Sequence, residues 1–260
     1  MYEEHFGLKA RPFGSPLAYL PLPSREAVGR RLRYALEEAQ GPAMLHGEPG
    51  VGKTSLVREL AARTGRQAVH LTFPALGPTD LLAFLAEEWN CPPDTAPGAA
   101  GDVRRIRAHL RAQGAPLLLI VDEAHLLTDP SSFESLRLLL NFESSGGPCL
   151  ALLLVGGPEL PLLLPDSLCD RMAARCVLRP LEEAESAAYI IGRMASAGGS
   201  VTTFAPGALR RLFVESDGFP RRLNRLADLG LLLAYADGRN GVTEEDIVGA
   251  AREFGPRKVA

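Results

Sequence analysis

Residues 47–54 read Gly47-Glu48-Pro49-Gly50-Val51-Gly52-Lys53-Thr54. A glycine, four residues, a second glycine, a lysine and a threonine form the phosphate-binding loop pattern. Glycines let the backbone wrap around a polyphosphate, so that N–H groups and the N-terminus of the next helix point at its oxygens. We expect Lys53 to contact the β- and γ-phosphates and Thr54 to place its hydroxyl on Mg²⁺. The pattern predicts a nucleoside triphosphate site formed by Gly47, Glu48, Pro49, Gly50, Val51, Gly52, Lys53, Thr54 and Ser55.

The flanking sequence fits this loop. Residues 42–46 read as a short buried strand, and residues 55–63 place Leu56 and Leu60 at helical spacing. A strand before the loop and a helix after it are the context in which the motif binds phosphate.

A second motif follows the apolar run of residues 116–121, which ends in Asp122-Glu123. Such a run predicts a strand that is covered on both faces. Asp122 is expected to hold Mg²⁺ through its water shell, and Glu123 to orient and activate the attacking water. A solvated strand end is the plain alternative, and the pairing with residues 47–54 favours the nucleotide interpretation.

The order of patterns predicts an α/β core with a parallel sheet flanked by helices over residues 1–180. Within it, residues 1–24 read as an irregular segment pinned by aromatics, and Ser24 is a plausible N-cap of the helix that follows. A further strand is expected between the strands that carry the two motifs. Residues 181–260 read as an all-helical lid of four helices, the last opening with Thr243-x-x-Asp246.

Three arginines are candidates for contact with the nucleotide. Arg171 and Arg175 lie just before the last core strand, from where a cation can reach a neighbour's nucleotide. Arg221 follows Pro220 at the start of a lid helix and can reach the γ-phosphate of its own subunit. A surface salt bridge is the structural alternative for Arg171 and Arg175.

Composition narrows the class of protein. The 260 residues carry a net charge of −3. The chain therefore lacks the overall positive charge that would indicate binding to nucleic acid. The four cysteines form no Cys-x-x-Cys pair, and neither a signal peptide nor a membrane span is recognisable, which favours a cytoplasmic protein. Asp-Glu-Ala-His also spells a helicase box, but the chain is too short for two helicase cores.

Taken together, these motifs resemble AAA+ ATPases of the ExeA, or general-secretion-pathway-protein-A, type. The likeness adds Tyr2-x-x-x-Phe6-Gly7-Leu8, Leu154-Val155-Gly156-x-Pro158-Glu159-Leu160, Arg171-Met172-x-x-Arg175 and Pro220-Arg221-Arg222-Leu223-Asn224 to the two nucleotide motifs. The resemblance implies ATP rather than GTP, a ring or helical homo-oligomer, and hydrolysis at subunit interfaces with Lys53, Glu123 and Arg171 as catalytic groups.

Two departures from the family bear on function. The family usually has a polar residue, often Gln, where this chain has Gly157, which has no side chain to sense the γ-phosphate; hydrolysis is then slow, or Asn141 substitutes. Secretion members also continue into a membrane span and a peptidoglycan-binding region that these 260 residues do not include, which weakens the secretion interpretation.

Three functions stay open from the sequence. The first is an ATPase that assembles or remodels an unidentified protein client at a secretion, pilus or surface-polysaccharide machine. The second is a transposition regulator that forms ATP-dependent filaments on double-stranded DNA. The third is a scaffold that is controlled by ATP binding and hydrolyses ATP very slowly. For the second, the candidate basic patch consists of Arg210, Arg211, Arg222 and Arg225.

Overall fold

The structure is a computed structural model that describes residues 2–14, 18–39, 41–93, 98–127 and 129–254, without the side chains of residues 38 and 254. Contacts divide the described residues into two compact units. A helical unit takes those of Met1–Glu26, Gly50–Gly52 and Arg179–Ala260, and an α/β unit takes those of Ala27–Pro49 and Lys53–Leu178.

The α/β unit is built on a parallel sheet. The strands are β1 (Ala43–His46), β2 (Ala68–Leu71), β3 (Leu117–Val121), β4 (Glu143–Ser144), β5 (Gly147–Pro148), β6 (Leu150–Gly156) and β7 (Ala174–Val177). Five of them form a sheet in the order β2-β3-β6-β1-β7, and every pairing within it is parallel. The strand expected between the two motifs is β6, which lies between β1 and β3 and confirms that expectation.

Helices connect these strands and fill the helical unit. They are α1 (Tyr2–His5), α2 (Pro23–Glu38), α3 (Lys53–Thr64), α4 (Pro78–Glu88), α5 (Ala99–Ala112), α6 (Pro130–Leu139), α7 (Leu160–Leu163), α8 (Asp166–Cys169), α9 (Glu183–Ser196), α10 (Pro206–Ser216), α11 (Pro220–Ala236) and α12 (Glu244–Phe254). A short 3₁₀ turn, Ala124–Leu126, directly follows Asp122-Glu123. No helix of the described ranges is both long enough and apolar enough to cross a bilayer.

Burial explains why the strands read as continuous apolar runs. All residues of β3 and β6 are buried, because helices cover both faces of a parallel sheet. Trp89 and Phe133 are the bulkiest fully buried side chains of this core. The strands therefore hold the polar residues at their carboxyl ends in fixed positions.

The helical unit has a hydrophobic core of its own. α9, α10, α11 and α12 confirm the four helices expected after Pro180. Tyr2, Leu8, Phe13 and Leu22 of the N-terminal segment belong to the same buried cluster, and the Tyr2 hydroxyl donates a hydrogen bond to Asp228 on α11. The sequence treats that segment as irregular, whereas the structure gives it α1. The domain boundary near residue 180 stays a prediction.

Two local features differ from the sequence expectations. Ser24 is not an N-cap, since α2 begins at Pro23 and both the N–H and the hydroxyl of Ser24 donate to the carboxylate of Glu185, at 2.8 and 2.7 Å. The two-stranded hairpin of β4 and β5 has no counterpart in the sequence patterns.

The start of α12 agrees with the sequence expectation. Asp246 accepts a hydrogen bond from the Thr243 N–H at 2.7 Å, which is one half of the expected capping box.

Candidate nucleotide-binding site

The loop of residues 47–54 joins the carboxyl end of β1 to the first residue of α3. Gly50 and Gly52 have φ values of +87° and +98°, a region that side chains disfavour. A Cβ atom on Gly47 would lie 2.3 Å from the carbonyl oxygen of Leu178, so only glycine fits there. The backbone thus requires glycine where the phosphate-binding pattern has it.

Lys53 is buried against the loop itself. Its ammonium donates to the carbonyl oxygens of Gly47 at 2.7 Å and Glu48 at 3.2 Å, and its exposed fraction is 7%. A buried ammonium among carbonyl dipoles gains from an anionic acceptor, because charge-assisted hydrogen bonds are stronger than neutral ones. The position of Lys53 is therefore compatible with a site for phosphate oxygens.

Thr54, in the first turn of α3, meets Asp122, which follows the carboxyl end of β3. The Thr54 hydroxyl donates to Oδ2 of Asp122 at 2.8 Å, and Nε2 of His70 lies 3.3 Å from the same oxygen. Burial opposes ionisation of Asp122, but hydrogen bonds from His70 and Thr54 outweigh it and hold the pKa of this carboxyl below its usual value. A hydroxyl and an ionised carboxylate are hard oxygen donors, the set that Mg²⁺ prefers.

Glu123 has a backbone conformation that is rare for its residue type. Its φ and ψ are 52° and 38°, in the left-handed region, and its N–H donates to Oδ1 of Asp122 at 3.0 Å. Such a conformation costs about 1–3 kcal/mol and persists where the surroundings enforce it, often at functional sites. The carboxylate of Glu123 is about half exposed, at 46%.

His125 lies beside Glu123 and contacts two further groups. Its Nδ1 lies 3.6 Å from a carboxylate oxygen of Glu123 and accepts a hydrogen bond from the Gly157 N–H at 3.2 Å. Its Nε2 lies 3.4 Å from a carboxylate oxygen of Glu159. Neither His70 nor His125 is singled out by sequence reasoning. The available signal was their position at or just after the carboxyl ends of β2 and β3.

In the helical unit, Arg221 lies beside Gly50. The Arg221 N–H donates to the Gly50 carbonyl at 3.3 Å, and a Cβ on Gly50 would come within 3.2 Å of the Arg221 side chain. The buried Arg25 donates to the Val51 carbonyl at 3.2 Å and to the Arg179 carbonyl at 2.8 Å. Sequence reasoning missed Arg25.

Arg171 and Asn141 lie at the other end of the sheet. Arg171 donates to Oδ1 of Asn141 at 2.7 Å, and a groove of about 680 Å³ places both beside Pro42 and Leu150, where β1 and β6 begin. The phosphate-binding loop and Gly157 follow the carboxyl ends of these strands, and β6 spans seven residues, about 20 Å. Asn141 is therefore not a substitute for the missing side chain of Gly157 in its own subunit. Arg175 donates to the Cys169 carbonyl at 2.8 Å.

Comparison with known proteins places these observations in a family. The model of the AAA domain family matches residues 36–164. The chain is 37% identical over 267 aligned positions to General secretion pathway protein A of Aeromonas hydrophila, a match that takes in 97% of this chain. The chain spans 48% of the length of that relative.

Solved structures show the same fold. The Cdc6p crystal structure from Pyrobaculum aerophilum matches 96% of this chain and 72% of its own with a TM-score of 0.75 and 21% identity. Aeropyrum pernix ORC1 in complex with DNA matches 94% and 68% with a TM-score of 0.68 and 19% identity. The Thermotoga maritima RuvB Holliday junction branch migration motor matches 88% and 68% with a TM-score of 0.59 and 20% identity.

Proposed function

We propose that this chain, which belongs to the AAA domain family, binds Mg-ATP through residues 47–55 and hydrolyses it at interfaces between copies of itself. The work obtained assembles or remodels a protein complex of the secretion, pilus or surface-polysaccharide type. The observation that carries the proposal is the 2.8 Å contact between Thr54 and Asp122. It brings the two sequence motifs together in one set of oxygen donors. Lys53 immediately precedes Thr54 in the chain.

The chemistry rests on the phosphate-binding loop and on residues that follow the sheet strands. The loop N–H groups and Lys53 would bind the triphosphate oxygens, and Thr54 and Asp122 would hold Mg²⁺. Mg²⁺ when bound supplies charge neutralisation for the phosphates. Glu123 accepts a proton from the attacking water, which suits a carboxylate that is half exposed and stands one residue beyond the metal-binding Asp122.

Arg171 acts on the nucleotide of a neighbouring copy in this proposal. Its position at the amino ends of β1 and β6 separates it from the motif residues of its own unit, while its side chain is exposed at the surface. A cation supplied by a neighbour stabilises charge on the transferred phosphoryl group, and it makes turnover depend on assembly. A ring or helical oligomer provides such interfaces.

Arg221 is proposed to report the nucleotide to the helical unit. Its backbone hydrogen bond to Gly50 and its side chain next to that glycine support this role. A guanidinium is suited to phosphate oxygens because it presents several donors in one plane.

The proposed process and location rest on the 37% identity to General secretion pathway protein A. That identity favours a protein client over a nucleic acid. It also favours a location in the cytoplasm, where ATP is available. Arg211 of the candidate basic patch is already paired with Glu215 at 2.5 Å, which lowers the positive charge that the patch offers to DNA.

Turnover of ATP by the full chain tests the proposal, with Glu123→Gln as the matched variant. We expect wild-type hydrolysis to rise with protein concentration and to exceed the variant by roughly 10²-fold or more. Saturable ATP binding with wild-type turnover equal to that of Glu123→Gln would instead establish a nucleotide-gated scaffold.

A filter-binding assay with double-stranded DNA at two salt concentrations tests the transposition alternative. The assembly ATPase proposed here predicts no ATP-dependent retention. Retention that needs ATP and falls steeply with salt would favour a DNA-binding regulator, since phosphate contacts are salt-dependent.

A further inference from the structure

A neighbouring carboxylate fills the space beside Gly157 that a side chain would occupy. A Cβ atom on Gly157 would lie 2.2 and 2.3 Å from the two carboxylate oxygens of Glu159. The Glu159 carboxylate therefore occupies the space that a side chain at position 157 would take. In that place one of its oxygens is 3.4 Å from Nε2 of His125.

The hydrogen-bond network assigns the tautomer of His125. The Gly157 amide only donates, so Nδ1 must accept its hydrogen bond at 3.2 Å and carries no proton. A neutral imidazole then has its proton on Nε2, which lies 3.4 Å from the Glu159 carboxylate. The Gly157 N–H, just after the end of β6, and the Glu159 carboxylate thus hold the ring from two sides.

The fixed ring in turn borders Glu123. Nδ1 stands 3.6 Å from the nearer Glu123 oxygen, too far for a direct hydrogen bond and close enough to restrict where the carboxylate can turn. Because Nδ1 has no proton in this tautomer, the ring does not donate to Glu123. The lone pairs of Glu123 stay available for the attacking water, while its backbone is held in the left-handed conformation.

From these contacts we propose that His125 is a positioning residue for Glu123, and that Glu159 holds His125 in its orientation and tautomer in place of a polar side chain at position 157. The inference rests on the proposed hydrolysis and deepens it. It states how a chain with glycine at this position orients its general base. The three side chains and Gly157 all belong to the α/β unit.

The test compares four variants of the full chain for kcat and for ATP affinity. His125→Ala is expected to lower kcat roughly 10- to 100-fold with ATP affinity within about 2-fold of wild type, because misplacement of a catalytic group by an ångström has effects of this size. Glu159→Ala is expected to lower kcat roughly 3- to 10-fold, and Glu159→Gln, which still accepts from Nε2–H, to stay within about 2-fold.

Gly157→Ala is the variant that leaves every charged group in place. Its φ lies outside the left-handed region and the clash is with the flexible end of Glu159, so the chain folds while the carboxylate moves away from His125. The kcat of Gly157→Ala should match that of Glu159→Ala. Neither change should add to the effect of His125→Ala, because residues that act through one another are not additive. Glu87→Ala, an exposed carboxylate on α4, serves as the control with wild-type kcat.

A spectroscopic readout accompanies the kinetics. Nitrogen chemical shifts of the His125 ring should show the proton on Nε2 in the wild type at pH 8, and Gly157→Ala should weaken that preference. A proton on Nδ1 in the wild type, or wild-type kcat in both Glu159→Ala and Gly157→Ala, overturns the inference. If the wild type itself does not exceed Glu123→Gln in turnover, the proposed hydrolysis has failed and this inference falls with it.

Discussion

Thr54 and Asp122 are 68 residues apart in the chain, and the hydroxyl of the first donates to Oδ2 of the second at 2.8 Å. The contact places the first turn of α3 against the carboxyl end of β3. It brings together a hydroxyl and a carboxylate, oxygen donors of the kind that Mg²⁺ prefers, and it helps to hold the pKa of Asp122 below its usual value.

The first prediction concerns magnesium. Thr54→Ala removes one of the two oxygen donors, and we expect the Mg²⁺ concentration for half-maximal ATP turnover to rise roughly 10-fold or more. Thr54→Ser keeps the hydroxyl and should stay within about 2-fold of wild type. Magnesium titrations of turnover measure both, and equal midpoints for Thr54→Ala and wild type would exclude Thr54 as a ligand.

The second prediction uses mixtures to test action between subunits. Arg171→Ala should bind ATP normally and lose turnover by roughly 10²-fold or more. Lys53→Ala should be inactive because it does not bind ATP. In a mixture of the two, a Lys53→Ala copy supplies its Arg171 to the intact loop of an Arg171→Ala copy, so activity should return.

The control for that mixture is Asn141→Ala. It removes the hydrogen-bond partner of Arg171 and keeps the guanidinium, so turnover should remain within a few-fold of wild type. A purely structural Arg171 gives a different result: normal turnover for Arg171→Ala alone, or no recovery in the mixture.

The third prediction concerns Arg221. Arg221→Ala should leave the fold intact, because its backbone N–H and not its side chain bonds Gly50. Loss of the guanidinium should weaken ATP binding by roughly 10-fold, the size of one charge-assisted hydrogen bond, and leave ADP binding nearly unchanged. The measurement is the affinity ratio of ATP to ADP. The exposed Arg225→Ala on the same helix is the control, and a ratio equal to wild type in Arg221→Ala would refute the proposed contact with the γ-phosphate.

The fourth prediction is a pH dependence of the helical unit. Asp246 is buried and accepts from Arg239 at 2.6 and 2.7 Å and from the Thr243 N–H at 2.7 Å. Burial opposes its ionisation, but the bonds from Arg239 and Thr243 prevail and lower its pKa. The carboxylate therefore stabilises the fold at pH above the unfolded value of about 3.9, and this stabilisation is lost as the pH falls through the lower folded value.

Asp246→Asn tests that dependence. It should reduce the free energy of unfolding by about 1–3 kcal/mol at pH 7, and the difference from wild type should shrink as the pH falls below the unfolded pKa of about 3.9. Urea unfolding at several pH values measures it. Asp237→Asn, whose exposed carboxylate also contacts Arg239, should change stability by less than about 1 kcal/mol. A pH-independent gap for Asp246→Asn would contradict the assignment.

Local sequence carries much of this structure. The glycines of residues 47–52 are required by the left-handed φ of Gly50 and Gly52 and by the close approach of Gly47 to Leu178, so a short pattern identifies the loop. The apolar runs of β3 and β6 reflect burial on both faces and reveal the sheet. Such features depend on a few consecutive residues.

Features that depend on distant residues escape sequence reasoning. Ser24 has the chemistry of an N-cap, but Glu185, 161 residues away, takes its hydrogen bonds. Asn141 has the polarity of a γ-phosphate sensor, but the fold places it at the opposite end of the sheet with Arg171. The contacts of His125 with Glu159 form only when the carboxyl ends of β3 and β6 are adjacent. The β4–β5 hairpin has two residues in each strand, too few for a periodic pattern.

The most direct test of the central claim is a calorimetric titration of ATP with Mg²⁺ into the folded full chain, run beside Lys53→Ala and the exposed Lys9→Ala. We predict a saturable heat for the wild type and for Lys9→Ala, and an affinity at least roughly 30-fold weaker for Lys53→Ala, since a buried ammonium–phosphate contact is lost. Absence of a binding heat for the wild type at millimolar ATP, or equal affinities of wild type and Lys53→Ala, would contradict a triphosphate site on residues 47–54.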